Sequence, residues 1–240
     1  MKIALFGYGK MGRMIEKTAT DRGHEITARI DRNEDALSPG PADVAIDFSV
    51  PSAAADNIRY CVDAGIPVVC GTTGWADQYP AIKKYVEEKN GTLVHSSNFS
   101  VGVNLFFCLN RFLARLTAGY PQYRASICET HHIHKLDAPS GTAITLAEGI
   151  EGQNPRYTAW SLAEAGQTPR DGTIGIQAVR QGEIPGIHAV TYTASADSIQ
   201  IRHEAFTREG FAQGAVLAAE WALDKQGVFT MQDVLNISDF

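Results

Sequence analysis

The chain has 240 residues, 44% hydrophobic and 20% charged, with 21 basic against 27 acidic residues and a formal charge of −6. That length holds one large domain or two small ones with a sizeable core, and it is too apolar for a disordered chain, while runs such as LFFCL from Leu105 to Leu109 are too short to span a membrane. The acidic balance, with no basic run longer than Lys83-Lys84, argues against nucleic acid as a partner.

In chain order, short apolar runs alternate with amphipathic stretches through the first hundred residues. The pattern predicts strands at Lys2 to Phe6, Glu25 to Ile30, Val44 to Asp47, Pro67 to Cys70 and Thr92 to His95, with helices at Met11 to Thr20, Ser52 to Ala64 and Gln78 to Lys89. Such alternation makes a parallel, doubly wound sheet. Beyond Ser100 a helix is predicted from Val103 to Leu116, then a strand, a histidine-rich turn and a short helix from Thr142 to Gly149. Strand-like segments follow. In them Ile174, Ile176 and Ala178, then Val190, Tyr192 and Ala194, then Ile199 and Ile201 recur every second position, and Gln177, Thr191, Thr193, Gln200 and Arg202 take the other face. This is the pattern of a second, mixed or antiparallel sheet with one apolar face. From Glu209 a helical pattern returns through Phe211, Ala215, Leu217, Ala218 and Trp221, with a further short helix at Met231 to Leu235, and this tail is expected to pack on the first domain. The fold expected is α/β: a Rossmann-like doubly wound parallel sheet from residues 1–100 and 209–240, plus an inserted α+β domain with a mixed or antiparallel sheet from residues 101–208.

The four cysteines, Cys61, Cys70, Cys108 and Cys128, form no CxxC pair and read as reduced core thiols. The apolar part of MKIALFGYGKMG is too short for a signal-peptide core, so a cytoplasmic protein is expected.

Between the first strand and first helix lies Gly7-Tyr8-Gly9-Lys10-Met11-Gly12. In this GxGxxG spacing the first glycine permits a tight turn, the second lets backbone approach a pyrophosphate and the third lets helix and strand pack closely, while the helix N-terminus offers amides and positive dipole. The spacing alone is weak. Here it follows a predicted strand, opens a predicted helix, and precedes Asp31, 19 positions past Gly12, where a carboxylate meets the adenosine ribose hydroxyls. Asp31 favours NADH, whereas Arg32, Lys10 and Arg13 offer cations to the 2′-phosphate of NADPH, so use of both cofactors is expected. Three further strand ends carry short polar loops: Asp47-Phe48-Ser49, Gly71-Thr72-Thr73-Gly74 and Ser96-Ser97-Asn98-Phe99. Each alone is an ordinary turn, but together they lie where doubly wound sheets bind ligands and are assigned to the nicotinamide half.

The densest chemistry is ETHHIHKLDAPSGTA, from Glu129 to Ala143. His131, His132 and His134, three of the seven histidines, stand within four residues and beside Lys135. Groups that hold and donate protons suit an anionic substrate gaining a hydride and a proton. Ser140-Gly141-Thr142 then opens a helix whose first amides can take a carboxylate. A metal held by His131, His132 and His134 is disfavoured, because no HExxH-type spacing is present and Lys135 opposes a cation. His134 reads as a hydrogen-bonded structural residue.

These residues, with DFS, GTTGW, SSNFSVGVN and Gly172-Thr173-Ile174-Gly175, closely resemble the dihydrodipicolinate reductase (4-hydroxy-tetrahydrodipicolinate reductase) family over essentially the whole chain. The resemblance implies NADH- or NADPH-dependent reduction of 4-hydroxy-tetrahydrodipicolinate, via dihydrodipicolinate, to tetrahydrodipicolinate in the diaminopimelate route to lysine. It also implies a homotetramer built by the inserted domain. By position it makes His131 the acid/base histidine and Lys135 the proton donor, and it assigns the substrate carboxylates to His132, Lys135, Ser140, Gly141 and Thr142. Cofactor contacts fall to Gly7, Tyr8, Gly9, Lys10, Met11, Gly12, Asp31, Arg32, Gly71, Thr72, Thr73, Ser96, Ser97, Asn98 and Phe99. The segment between Gly149 and Gly172 is short for the family, and Thr130, Ser96 and Ser97 stand where alanine is common.

Overall fold

A computed structural model describes residues 1–31, 38–164 and 169–237, which divide into two compact units: Met1–Val101 with the stretch from Glu209 onward, and Gly102–Arg208.

The first unit runs β1 (Lys2–Phe6), α1 (Lys10–Asp21), β2 (Glu25–Ile30), β3 (Val44–Asp47), α2 (Pro51–Asp63), β4 (Val68–Cys70), α3 (Tyr79–Glu88) and β5 (Thr92–His95). It resumes at α6 (Glu209–Ala222), β11 (Gly227–Phe229) and α7 (Met231–Leu235). All six strands are parallel, in the order β11-β5-β4-β3-β1-β2. The inner strands are continuous apolar runs because both faces are covered. Ile3, Leu5, Val44, Ile46, Val69 and Val94 pack with α1 and α6 on one side, and Ala4, Phe6, Ala45, Val68, Cys70 and Leu93 with α2 and α3 on the other. The α6 helix comes close enough that a Cβ on Gly214 would stand 1.7 Å from the Phe99 carbonyl oxygen. The doubly wound parallel sheet is therefore as the periodicity predicts.

The second unit contributes most of α4 (Val101–Thr117), then β6 (Arg124–His131), α5 (Gly141–Glu151), β7 (Ala159–Leu162), β8 (Thr173–Arg180), β9 (Gly186–Thr193) and β10 (Ser198–Ala205). The sheet is mixed, ordered β10-β9-β6-β8-β7, with β6 parallel to β8 and antiparallel to β9. One face carries Ala125, Ile127, Ile174, Ile176, Val190 and Tyr192 against Phe106, Ala114, Leu146, Ala147 and Ile150 of α4 and α5.

Helix ends shift by one or two residues from expectation, and the segment from Gln78 begins with a 3-10 turn at Ala76–Gln78 before α3, whose first turn accepts Pro80. Two strands escape the sequence. β7 is four mostly exposed residues, and β11 is three residues opening on Gly227 at φ +126°, both too short for a period to register. Two expectations are corrected. Cys108 and Cys128 are half-buried, unlike the buried Cys61 and Cys70. Ile199 is 41% exposed because β10 is an edge strand.

Candidate active site

At the carboxyl ends of β1, β2 and β3, Gly7, Gly9 and Asp31 line a cavity of about 500 Å³ with Phe48, Ser49, Val50, Ala53 and Asn57. Two of the three loop glycines are sterically required. Gly7 has φ +86° and a Cβ there would fall 2.3 Å from the Phe48 carbonyl oxygen, while one on Gly12 would fall 2.2 Å from that of Gly7. Around Gly9 a Cβ meets nothing within 4 Å, which leaves the α1 N-terminus open to a ligand. The Tyr8 hydroxyl donates to Glu16, which also accepts from Arg29 Nε at 3.2 Å, and Arg13 stacks 4.9 Å from the Tyr8 ring centroid. The Arg29 bond leads the causes that hold the Glu16 carboxyl below its ordinary range. Lys10 is exposed at the start of α1. Met11 packs on the core and Phe99 is 1% exposed, its ring 5.8 Å from Phe48, so these two side chains serve packing. Arg32 lies outside the described residues.

The loops after β3 and β4 are tied by one fully buried carboxylate. Asp47 Oδ1 accepts from the Ser49 amide at 2.9 Å, the Ser49 hydroxyl at 2.8 Å and Thr72 Oγ1 at 2.5 Å, and Oδ2 accepts from Asn57 Nδ2 at 2.7 Å. Gly71 lies against the Phe48 ring, and Thr73 is exposed beyond it. In the loop after β5 the Ser96 hydroxyl donates to the Asn98 carbonyl at 2.8 Å, the Asn98 side chain accepts from the Ser100 amide at 2.9 Å, and Ser97 is exposed. Asp47→Ala orphans several buried donors and is expected to cost roughly 3 kcal/mol. An unchanged urea midpoint would contradict that account of the loops.

In the second unit, alternation along β6 puts Ala125, Ile127, Glu129 and His131 on the buried face. The core thus turns polar at the strand's carboxyl end. Register supplies the neighbours: Glu129 stands opposite His188 of β9 and Ala178 of β8, and His131 opposite Arg180. Glu129 Oε1 accepts from the Ser140 amide at 3.0 Å and from Arg180 Nη2 at 3.1 Å. Its Oε2 lies 3.3 Å from His131 Nδ1 and 3.6 Å from His188 Nε2. The His131 and His188 rings meet edge to face at 5.0 Å. Gly186 leaves room for the first ring, since a Cβ there would come within 3.1 Å of His131 Nε2.

Arg180 also organises the segment that carries the lysine. Its Nη2 donates to the Asp137 carbonyl at 2.6 Å and its Nε to the Lys135 carbonyl at 3.3 Å. Lys135 Nζ pairs with Asp137 Oδ2 at 2.8 Å, and that bond leads the causes holding the Asp137 carboxyl below its usual range. The segment then closes on α5. Ser140 is the N-cap: its hydroxyl accepts from the Ala143 amide at 3.2 Å and also lies 3.2 Å from His188 Nε2. Gly141 and Thr142 form the first turn, where backbone amides precede the intrahelical ladder. Among the described residues, His132 Nδ1 is buried without a hydrogen-bond partner. His134 is exposed and bonds Glu183 at 3.0 Å.

Burial alone would push the Glu129 carboxyl up, but interactions with His131, His188 and the Ser140 side chain and amide outweigh it and hold it well below the carboxylate range. Desolvation, with His131 and Lys135 nearby, pushes His188 down despite Glu129. The buried carboxylate is thus an anion beside a neutral His188. Glu129, His131 and His188 offer ligand-type atoms within 4.8 Å of one another, yet Arg180 already supplies the positive charge on that carboxylate, which disfavours a cation there.

The structure therefore gathers His131, Lys135 and Ser140 around Glu129 and Arg180, and leaves His134 at the surface. Glu129, His188 and Arg180 are site residues that sequence reasoning did not select. Signals existed for two of them: Glu129 shares the buried phase of Ala125 and Ile127, and His188 that of Val190 and Tyr192.

Residues 1–99 match the family described as dihydrodipicolinate reductase, N-terminus, and residues 102–235 its C-terminus. A 4-hydroxy-tetrahydrodipicolinate reductase from Christiangramia forsetii is 48% identical over 239 residues, 98% of each chain. One from Archaeoglobus fulgidus is 35% identical over 261 aligned positions, covering 98% of this chain and 100% of its own. In fold, a dipicolinate-bound dihydrodipicolinate reductase from Paenisporosarcina sp. TG-14 matches with a TM-score of 0.76 at 21% identity, over 97% of this chain and 98% of that one. The glycine loop, the polar end of β6 and the capped start of α5 thus occur in a chain that, along its length, belongs to the dihydrodipicolinate reductase family.

Proposed function

We propose that the protein reduces 4-hydroxy-tetrahydrodipicolinate, via dihydrodipicolinate, to tetrahydrodipicolinate with NADH or NADPH, in the diaminopimelate route to lysine. The observation that carries this reading is the return of the Lys135 segment on itself, which brings the N-terminus of α5 to the Glu129 carboxylate two residues from His131. A proton donor, an ammonium and free helix amides are thereby collected for a small dicarboxylate.

Residues 1–100 and 209–240 bind the dinucleotide in this reading, and residues 101–208 the substrate. The glycine loop fits a dinucleotide: Gly7 and Gly12 have no room for a Cβ, and Gly9 leaves the helix N-terminus open. A reduced nicotinamide would supply the hydride. Asp31 would meet the adenosine ribose, and the loops tied by Asp47 would border the ring. His132, Lys135, the Ser140 hydroxyl and the Gly141 and Thr142 amides hold the two substrate carboxylates, the Ser140 amide being engaged by Glu129. As electron density gathers on the substrate ring, the Lys135 ammonium stabilises it, and His131 or Lys135 delivers the proton that completes the two-electron reduction.

A coupled assay supplying substrate from a dihydrodipicolinate synthase, pyruvate and aspartate semialdehyde, and following loss of nicotinamide absorbance, tests this directly. No turnover would leave only a dinucleotide-binding protein. Asp31 with Lys10 and Arg13 predicts kcat/KM values for NADH and NADPH within roughly a hundredfold, about 2.7 kcal/mol; a preference of several hundredfold would overturn mixed use. A homotetramer is supported by Leu105, Leu109, Phe112 and Leu116, 40–54% exposed along one face of α4, and light scattering measures it. The four free cysteines support a cytoplasmic location.

A further inference from the structure

Glu129 is fully buried, yet the reading above gives it no task. It sits where four polar groups of the second-unit site meet: His131 on its own strand, His188 on β9, Arg180 on β8, and Ser140 at the start of α5. Its two oxygens divide the work. Oε1 is taken by the Ser140 amide and Arg180, and Oε2 faces His131 Nδ1 at 3.3 Å. Both Oε2 and His131 Nδ1 are buried, and neither makes a hydrogen bond of normal geometry among the described residues, which leaves each facing the other across that 3.3 Å. A buried carboxylate oxygen and a buried ring nitrogen at that distance attract rather than repel each other only if the nitrogen carries the proton.

We propose that Glu129 is the positioning residue of the proton donor: it holds the proton on His131 Nδ1 so that Nε2 is the nitrogen that gives its proton to the substrate, and through Arg180 it registers the Lys135 segment beside it. The inference rests on the proposed role of His131. In the donating step the Nε2–H bond breaks, the proton goes to the substrate, and the ring is left neutral with its proton on Nδ1, facing the anion. A neutral ring with the proton on Nε2 would instead leave a bare nitrogen lone pair against a carboxylate. Arg180 supplies the countercharge that keeps the buried anion tolerable, and the same guanidinium holds the Lys135 and Asp137 carbonyls. One carboxylate therefore orients His131 directly and the lysine segment at one remove.

Charged and titratable groups face this ring from each packed element: Glu129 on β6, Arg180 on β8, His188 on β9, and Lys135 and Asp137 on the segment before α5, with His203 of β10 behind His188. Glu129→Gln removes only the anion among them.

The test has two arms on the full-length protein. With histidine nitrogen-15 labelled, the two-bond proton–nitrogen spectrum of the wild type is expected to show neutral His131 protonated on Nδ1, its signals assigned by their loss in His131→Gln. The Nε2-protonated form would overturn the proposal whether or not any Glu129 variant folds. In the second arm, Glu129→Gln is expected to lower kcat roughly ten- to a hundredfold with substrate KM and NADH affinity within about threefold. Glu129→Asp, which keeps the anion, recovers part of the rate. No recovery in Glu129→Asp, or a rate loss matching only the loss of folded protein, would reject the positioning role. Failure of the functional reading looks different: wild-type protein would then show no reductase turnover at all, or His131→Gln would keep near-normal turnover.

Discussion

Lys135→Ala is expected to lower kcat by about two orders of magnitude or more and to raise the substrate KM, with the NADH dissociation constant unchanged. The side chain is 22% exposed and its ammonium is held 2.8 Å from Asp137 Oδ2. It is therefore neither free in solvent nor locked in the core. Its backbone carbonyl is bound by Arg180, so the chain trace at this position should survive the substitution. What is lost is a positive charge in a partly dry site, where it acts on developing negative charge far more strongly than in water. A partner for a substrate carboxylate is lost with it. His131→Gln should match the fall in kcat with a smaller change in KM, since the ring is nearly buried and linked to Glu129. Unchanged substrate affinity in Lys135→Ala would contradict the carboxylate contact.

Gly7→Ala is expected to abolish measurable NADH and NADPH binding and to lower the melting temperature by several degrees. Two independent penalties act at this residue. A φ of +86° strains any side-chain-bearing residue by about 1–2 kcal/mol. The added Cβ would also lie 2.3 Å from the Phe48 carbonyl oxygen and 2.6 Å from Ser49 Cα, both backbone atoms that cannot rotate away. Relief requires β1 and the loop after β3 to separate, which disturbs the floor of the cavity beneath the α1 N-terminus. Together the terms approach roughly 3 kcal/mol, and each kcal/mol shifts the melting temperature by about 2–4 °C in a chain of this size. Isothermal titration with each cofactor, beside a melting curve, separates lost binding from lost fold; unaltered affinity would show that the loop is not the pyrophosphate cradle.

Much of the fold was legible because inner parallel strands buried on both faces leave unbroken apolar runs, and β1, β3 and β5 lie where those runs predict, with the edge strand β2 also at its expected place. β7 and β11 were not, since three or four residues at a sheet edge are recruited by their neighbours rather than by their own pattern. The site divides along a similar line. His131, Lys135 and Ser140 fall within ten residues, so local sequence displays them together. The residues that organise them come from afar: Arg180 is 51 positions from Glu129, and His188 is 48 from Ser140. Only the register of β6 between β8 and β9 brings them in. The alternation of β6 marked Glu129 as buried, but a buried acid on a strand says nothing of its partners until the neighbouring strands are aligned.

The edge strand β11 pairs with β5, Val228 opposite Leu93, and the Thr92 hydroxyl donates to the Lys225 carbonyl 133 residues further on. As the chain leaves the ribosome, β5 is made early but its outer edge stays open until the whole second unit has been synthesised. An open parallel edge is a template for pairing with other chains. The second unit, continuous in sequence, can settle while that edge waits. The part of the protein that is translated first is thus the part whose sheet is finished last.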